Sequence, residues 1–364
     1  MKNNRYHRQM ILPNFGETVQ QKLKKCRVLV IGAGGLGCPV LIQLAGMGVG
    51  TIGIVDDDTV ALNNLHRQHL YSEKSVGCYK SDEAKKILSA LNSEIQIKSY
   101  PYRILNNNAE ALISSYDIIV DGTDNFETRY MINDACVLFQ KPLVYGAVYQ
   151  YEGQVAVFNV TGEIENSCHY RDLFPIINKG EEIPTCNDAG AYGVLTGIIG
   201  NFMAHEVFKL VSNNIHVLKN KLLIFNLNHY RSEIFSYSKN NSNNFIPKNI
   251  EAFLAYNYSA YCQDKTILSI EQLKSILKLR ESILIDVRNE EEIPEIENFA
   301  FIKIPISDLD KSIQLLSKYD PIVFVCAQGN RSAFAKNWAQ LKFASKNIYD
   351  FPQGVLGLNK MSYV

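Results

Sequence analysis

The stretch VLVIGAGGLGCPVLIQLAGMGVGTIGIVDDDTVALNNLHRQHL, Val28 to Leu70, decides how the rest of the chain is read. Its first residues are an apolar run of strand length, a glycine-rich turn follows, and a small-residue apolar segment then suits a helix. TIGIVD reads as a second strand ending in acid. Gly32, Gly34 and Gly37 allow a tight turn and close backbone approach, so N–H groups at the helix start can face phosphate oxygens. Asp56, at the end of the second strand, is placed to accept hydrogen bonds from ribose hydroxyls, which suits NAD and ATP equally. The next run, NNLHRQ, places Asn64 and Arg67 where hydride transfer has no evident use for them.

Outward from this stretch the alternation continues. KSDEAKKILSAL reads as a helix, EIQIKSYP and YDIIVDGTDN as strands, and ETRYMINDACVLFQ as a helix. Strands alternating with helices imply an α/β fold with a parallel sheet covered on both faces. From KPLVYGAVYQYEGQVAVFN onward apolar and polar residues alternate, which predicts an antiparallel extension of that sheet. YGVLTGIIGNFMAHEVFKLV predicts a long, largely buried helix. SYSKNNSNNFIPKN, starting at Ser236, is crowded with Asn and Ser and lacks apolar periodicity, a linker signature. Beyond it TILSIEQLKSIL, SILIDVR and PIVFVCAQGNRSAFAKNWAQL give a second, smaller α/β pattern. The expected organisation is one module over 1–235, a linker over 236–262 and a second module over 263–364.

Composition narrows the function. A chain of 364 residues with 46% hydrophobic content can build two full cores. The 37 basic and 37 acidic residues cancel, so nothing asks for nucleic acid or an anionic membrane. MKNNRYHRQM runs into ILPNFGE without a signal-peptide stretch, and no uninterrupted apolar run is long enough to span a bilayer; a cytoplasmic protein is expected. Eight cysteines lie scattered without a Cys-x-x-Cys pair, and most read as small buried hydrophobes.

Arg67, Lys80 and the pair Asp124-Asn125 of DGTDN separate ATP from NAD. Two cations beside a phosphate turn stabilise charge on a triphosphate, and a carboxylate at a strand's C-terminal end can hold Mg²⁺. With RYHRQMILPNFG, VGCYK, PLVYGAVYQYEGQV and PTCNDAGAYGVLTGIIG, these segments resemble the MoeB/ThiF/HesA family, bacterial relatives of ubiquitin-activating enzymes, from about Arg5 to Tyr230. The resemblance implies a Rossmann-like ATP-binding mixed sheet and Mg-ATP-dependent adenylation of the C-terminal glycine of a small ubiquitin-like protein. It implies that Gly32, Gly34, Gly35, Gly37, Asp56, Asn64, Arg67, Lys80, Asp124 and Asn125 contact ATP, and that Asp124 binds the magnesium. It also implies that Arg8 reaches the ATP site of the other subunit of a homodimer. Cys186 in PTCNDAG takes the place of the family's motif cysteine, an acceptor forming a thioester or a disulfide with the carrier.

Many members of that family bind zinc through two Cys-x-x-Cys pairs. Here NSCHYRDLFP retains only Cys168, with His169 and Asp172 close by, and no second pair exists, so zinc is expected to be absent. The string YRDLFP instead resembles the zinc-free members fused to rhodanese domains.

In VFVCAQGNRSAFAKNWAQL a strand delivers Cys326 into a short loop. Backbone N–H groups and the following helix N-terminus can stabilise a thiolate or persulfide there, with Arg331 adding positive charge. The segment resembles the rhodanese active-site loop, and LIDVRNEEE, with Asp286 and Arg288, resembles its upstream partner segment; the resemblance spans about Ile267 to Leu358 and thins where Glu297 and Asn298 replace a common Gly-His pair. Together the two resemblances imply an adenylyltransferase and sulfurtransferase that converts a carrier's terminal glycine to a thiocarboxylate. The carrier is expected to be MoaD-like, for molybdopterin synthesis, with a ThiS-like carrier for the thiamine thiazole as the alternative and a cysteine desulfurase as sulfur donor. An NAD-dependent oxidoreductase would leave Arg67, Lys80, Asp124 and the C-terminal module unexplained. A noncatalytic scaffold that only binds a ubiquitin-like tail would need neither Asp124 nor Cys326.

Overall fold

The computed structural model describes residues 5–160, 167–174, 190–239, 246–258, 270–288, 290–305, 308–326, 330–343, 346–351 and 354–359. They form two compact units, the first running to Tyr258 and the second following from Ser259.

In the first unit α1 (His7–Met10) and α2 (Gly16–Lys25) precede β1 (Arg27–Ile31), α3 (Gly37–Met47), β2 (Thr51–Val55), α4 (Lys80–Leu91) and β3 (Gln96–Tyr100). Then come α5 (Asn106–Ser114), β4 (Ile118–Asp121), α6 (Phe126–Leu138), β5 (Leu143–Tyr149) and β6 (Glu152–Phe158). The short α7 (Tyr170–Leu173), α8 (Gly193–Ser212), β7 (Lys221–Asn226), β8 (Arg231–Ser236) and α9 (Ile250–Ala255) complete it. The eight strands lie in the order β3-β2-β1-β4-β5-β6-β7-β8. The first five are parallel and the last three run antiparallel, the mixed sheet that the alternation of residues from Leu143 onward predicts.

Strands β1 and β4 are continuous apolar runs because helices cover them on both sides; Val28, Leu29, Val30, Ile119 and Val120 have no accessible surface. The chain leaves β1 toward β2 on one side and returns to β4 on the other. That reversal opens a crevice beyond the carboxyl ends of β1 and β4, where open α/β sheets take their ligands. Helix α8 is long and apolar enough to cross a bilayer by length and composition, but half of its most apolar window is buried within the fold. Leu195, Ile199, Met203 and Val207 join the same core as Leu23 of α2 and Leu41 of α3.

The linker expected over 236–262 is a connection only in part. Asn249 caps α9, and Asn106 donates from its amide to the carbonyls of Phe253 and Tyr256. Tyr258 donates its hydroxyl at 2.9 Å to Asp134, whose carboxylate also accepts from Nε and Nη2 of Arg171 at 2.8 and 2.7 Å. The Arg171 guanidinium lies 4.6 Å from the centre of the Tyr130 ring and 5.7 Å from that of Tyr256. Residues 246–258 therefore fold onto the first unit through a few large anchors, Phe253 and Tyr258 among them, which a periodicity reading of an Asn-rich stretch does not register.

The pair has a cost when broken. Asp134→Ala strands a buried guanidinium, so a loss of about 3–5 kcal/mol is expected in urea unfolding of the first unit followed by circular dichroism. A loss under about 1 kcal/mol would mean that Arg171 finds water or another acceptor.

The second unit holds α10 (Ile270–Ile276), β9 (Ile283–Asp286), β10 (Ile302–Lys303), α11 (Ile313–Leu316), β11 (Ile322–Val325), α12 (Asn330–Lys342), β12 (Ile348–Phe351) and α13 (Gly354–Asn359). Its sheet has the order β10-β9-β11-β12, all parallel. Alternate residues of β11 feed two separate cores, Ile322 and Phe324 one and Val323 and Val325 the other, as a strand covered on both faces must.

Candidate functional site

The crevice at the β1 and β4 ends is a cavity of about 670 Å³. Its floor is the glycine turn. Gly32 closes β1 with φ +91°, and a Cβ there would meet the Gly122 carbonyl oxygen at 2.8 Å. At Gly37 a Cβ would lie 1.9 Å from the Gly32 carbonyl oxygen, so neither position accepts a side chain without moving the backbone. Asp56 reaches back to this turn, its Oδ2 accepting from the Ala33 N–H at 2.7 Å and its Oδ1 from the Asp58 N–H at 2.9 Å. Burial raises the Asp56 carboxyl above the ordinary carboxylate range, against the pull of Lys80 and of these two N–H groups. Tyr71 ties turn to helix, its hydroxyl lying 3.0 Å from the Ala33 carbonyl and 3.2 Å from that of Lys80.

Charge reaches the cavity from several separate segments, Arg103 and the run Asp56–Asp58 among them. Lys80 opens α4 with its side chain almost wholly covered, and its Nζ lies 2.6 Å from Asp58 Oδ2. Arg67 stands above a 3₁₀ turn at Leu62–Asn64, and its Nη2 donates to Asn64 Oδ1 at 2.9 Å. Asp124 is exposed at the cavity wall and takes no hydrogen bond from the protein among the described residues. The loop that carries it is braced from beneath: buried Asp121 accepts from the Thr123 N–H and hydroxyl, and Arg129 donates to the Thr123 carbonyl at 2.7 Å. Burial raises Asp121 above the ordinary carboxylate range, with Arg129 acting in the opposite direction.

Of the residues that the sequence analysis assigns to ATP, Gly32, Gly34, Gly35, Asp56, Asn64, Arg67, Lys80, Asp124 and Asn125 line this one cavity. Gly37 shapes it from behind the turn. Asn125 also has a structural duty, since its Oδ1 accepts from the Thr128 N–H at 2.8 Å and caps α6. Arg8 is exposed on α1 and does not line the cavity of its own chain. Its neighbours hold that arm elsewhere, with the Tyr6 hydroxyl taking the Asn92 amide and Gln9 donating to the Met47 carbonyl. Cys186 lies outside the described residues.

Several cavity residues escape the sequence reading, Arg103, Arg129 and Gln68 among them. Arg129 is buried with its guanidinium 5.3 Å from the centre of the Tyr145 ring and 5.8 Å from that of Phe126. Its signal is the spacing from Asn125, one helical turn along the same face of α6. Gln68 is buried beside Arg67, and its Oε1 has no protein hydrogen-bond donor among the described residues. Adjacency to Arg67 was its only signal in the sequence.

Of the described cysteines other than Cys326, all but Cys78 are buried, and burial raises their thiols. It pushes the thiols of Cys26 and Cys38 up to about 12 and that of Cys168 to about 11. Asp56, Asp57 and Asp58 are the only described His, Cys, Asp or Glu residues whose ligand atoms cluster tightly enough to share a cation.

In the second unit Cys326 follows β11, buried at 2% exposure, with Sγ 3.6 Å from the Ser332 hydroxyl. Asp286, at the end of β9, is in register with Val325 and holds Arg288 through several short bonds. Arg288 also donates to the Pro294 carbonyl, so this pair bolts the segment after β9 in place. Arg331 departs from expectation. Its guanidinium is held end-on by Glu292, at 2.5 and 2.6 Å, and so does not stand as an open cation over Cys326.

Residues 6–245 match the model of the ThiF family, and residues 269–360 that of the rhodanese-like domain. The chain is 36% identical to the adenylyltransferase and sulfurtransferase MOCS3 of Aedes aegypti, an alignment covering 97% of this chain and 85% of that protein. It is 47% identical to the sulfur carrier protein adenylyltransferase of Thermus thermophilus, over 61% of this chain and 82% of that protein. Among solved structures, E. coli MccB with ATP superposes with a TM-score of 0.57 at 25% identity, covering 65% of this chain and 73% of that one.

Proposed function

This chain belongs to the ThiF family and carries a rhodanese-like domain behind it, and from that premise we propose that it adenylates the C-terminal glycine of a small sulfur-carrier protein and then delivers sulfur to it. The observation that carries the reading is the meeting of Arg67, Lys80 and Asp124, from three separate segments, around one glycine turn. ATP is the substrate these residues fit. The turn offers N–H groups to phosphate oxygens, Asp56 accepts from ribose hydroxyls, and Arg67 and Lys80 neutralise charge as it builds on the phosphates. The carrier's carboxylate attacks the α-phosphorus and pyrophosphate leaves; catalysis is positioning plus charge neutralisation.

Asp124, exposed in the same cavity lining as Asp57 and Asp58, is the hard oxygen donor assigned to Mg²⁺. Magnesium, when bound, offsets the repulsion between these carboxylates and the triphosphate. Zinc is expected to be absent, because Cys168 has no second cysteine at Cys-x-x-Cys spacing. The anchoring of Arg171, Asp134 and Tyr258 holds the neighbouring chain instead.

Adenylation turns a poor electrophile into an acyl group with a good leaving group, AMP. Cys326, charged with a sulfane sulfur, attacks that acyl carbon and AMP leaves; a thiol then opens the resulting acyl disulfide, which releases the thiocarboxylate and leaves that thiol in a disulfide with Cys326 that a thiol reductant reopens. Cys186 is assigned as the acceptor that forms a thioester or a disulfide with the carrier. The carrier is of the MoaD type, for molybdopterin, the sulfur comes from a cysteine desulfurase, and the enzyme works in the cytoplasm. Incubating MoaD-like and ThiS-like carriers with enzyme, Mg-ATP and a persulfide donor tests this by mass spectrometry. Replacement of one oxygen by sulfur in the MoaD-like protein alone is expected, and replacement only in the ThiS-like protein would move the enzyme to thiamine synthesis.

Arg8 completes the proposal. Exposed and away from its own cavity, it is assigned to the ATP site of a second copy, which makes the enzyme a homodimer with shared sites. Arg8→Ala and Asp124→Ala are each expected to be inactive in ATP–pyrophosphate exchange, whereas mixed dimers regain up to about a quarter of wild-type activity through one intact site in half of the molecules. No recovery after demonstrated subunit exchange would remove the composite site.

A further inference from the structure

On the segments that meet at Cys326, Arg288, Arg331 and Lys336 are each matched to a carboxylate. Arg288 is closed on Asp286, Lys336 on Asp350 at 3.1 Å, and Arg331 on Glu292 at 2.5 and 2.6 Å. Between Cys326 and Arg331 the chain reads Ala327, Gln328, Gly329 and Asn330, which add no charge. The first two pairs are buried and belong to the frame of the unit. The third is different. Arg331 and Glu292 are each about one-third exposed, 33% and 31%, so this pair faces solvent.

The pairing matters because of what a sulfur donor carries. Thiosulfate is a dianion, and bringing it to a thiolate requires net positive charge at the site to offset repulsion. An arginine paired end-on with a carboxylate is a dipole whose field falls off faster than that of a free cation, and Glu292 itself repels anions. A persulfide on a cysteine side chain needs no such cation, since its sulfane sulfur is neutral when protonated and carries one charge when not.

We propose that Glu292 sets the choice of sulfur donor at Cys326: by closing on Arg331 it cancels that cation and so favours a cysteine persulfide over thiosulfate. The inference rests on the reading of Cys326 as the thiol that receives sulfur. In the favoured transfer the Cys326 thiolate attacks the outer sulfur of R–S–SH; the new S–S bond forms, the old one breaks, and R–S⁻ leaves while the proton stays on the transferred sulfur. With thiosulfate the same attack would release sulfite, and the charge on each side again balances. Glu292 acts through Arg331 and is a positioning residue.

The full chain is tested with two probes, thiosulfate and a persulfidated cysteine peptide, with sulfur on Cys326 read by mass spectrometry and turnover by thiocyanate formation with cyanide. Glu292→Gln is expected to raise the thiosulfate-to-persulfide ratio of kcat/KM by about five- to tenfold, mainly through a lower thiosulfate KM. That gain should shrink above about 0.15 M salt, where an exposed charge is screened. Glu292→Asp should restore the wild-type ratio. In the wild type, thiosulfate KM should vary little with salt, a measurement that needs no variant. A steep rise of wild-type KM with salt, or an unchanged ratio in folded Glu292→Gln, overturns the role of Glu292 while leaving Cys326 as acceptor. A wild type that takes sulfur from neither probe overturns the reading of Cys326 itself.

Discussion

Replacing Asp124 by alanine is expected to lower carrier-dependent ATP–pyrophosphate exchange by a factor on the order of 10²–10³ or more, the scale on which one missing transition-state contact is felt. Asp124 is exposed at the cavity wall and takes no hydrogen bond from the protein among the described residues, so its loss removes a charge from the site without opening a buried pair. The loop keeps its braces from Asp121 and Arg129 and the Asn125 cap keeps α6, so the fold should survive. Circular dichroism and the urea midpoint check that survival, with a shift within about 0.5 kcal/mol expected for a surface change. Normal exchange in a folded Asp124→Ala protein would remove the assignment of the metal to Asp124 and with it the adenylation reading built on that residue.

Cys326→Ala is expected to abolish sulfur transfer outright, since the substituted atom is the one to which the sulfur is attached. Pyrophosphate exchange should stay within about twofold of wild type, because the residues assigned to it all lie in the first unit. Cys326 is buried against the Ser332 hydroxyl, and Cys326→Ser supplies a control that keeps the volume and the hydrogen-bonding group. Sulfur should be absent from both variants after incubation with a persulfide donor. If either still forms thiocarboxylate at the wild-type rate, the rhodanese-like unit does not carry the sulfur, and Cys186 would have to receive it directly.

How much of this was legible in the sequence depends on the range of the interaction. The strand-turn-helix at Val28 to Met47 and the end-of-strand position of Asp56 are local: side-chain period, turn chemistry and strand length are set by neighbours a few residues away. The parallel order and its antiparallel extension follow from the same patterns, because connection length and chirality leave few topologies. Cys326 after an apolar strand and before a helix is legible for that reason too.

The pairings were not legible. Asn125 looks like a ligand residue in DGTDN, and only the start of α6 shows it also capping a helix. Arg331 looks like a free cation beside Cys326 until Glu292, 39 positions earlier, is brought against it. The stretch before Tyr258 looks like linker until Asp134, 124 positions away, accepts its hydroxyl. The sequence by itself determined the fold class, the glycine turn, the two-module order and the identities of the charges, because period and spacing act within a few residues along the chain. The tertiary structure alone decided which of those charges stay open to a substrate and which are cancelled. A charge is neutralised by whatever lies within a few ångströms, and Coulomb energy falls with distance in space, which sequence separation does not record.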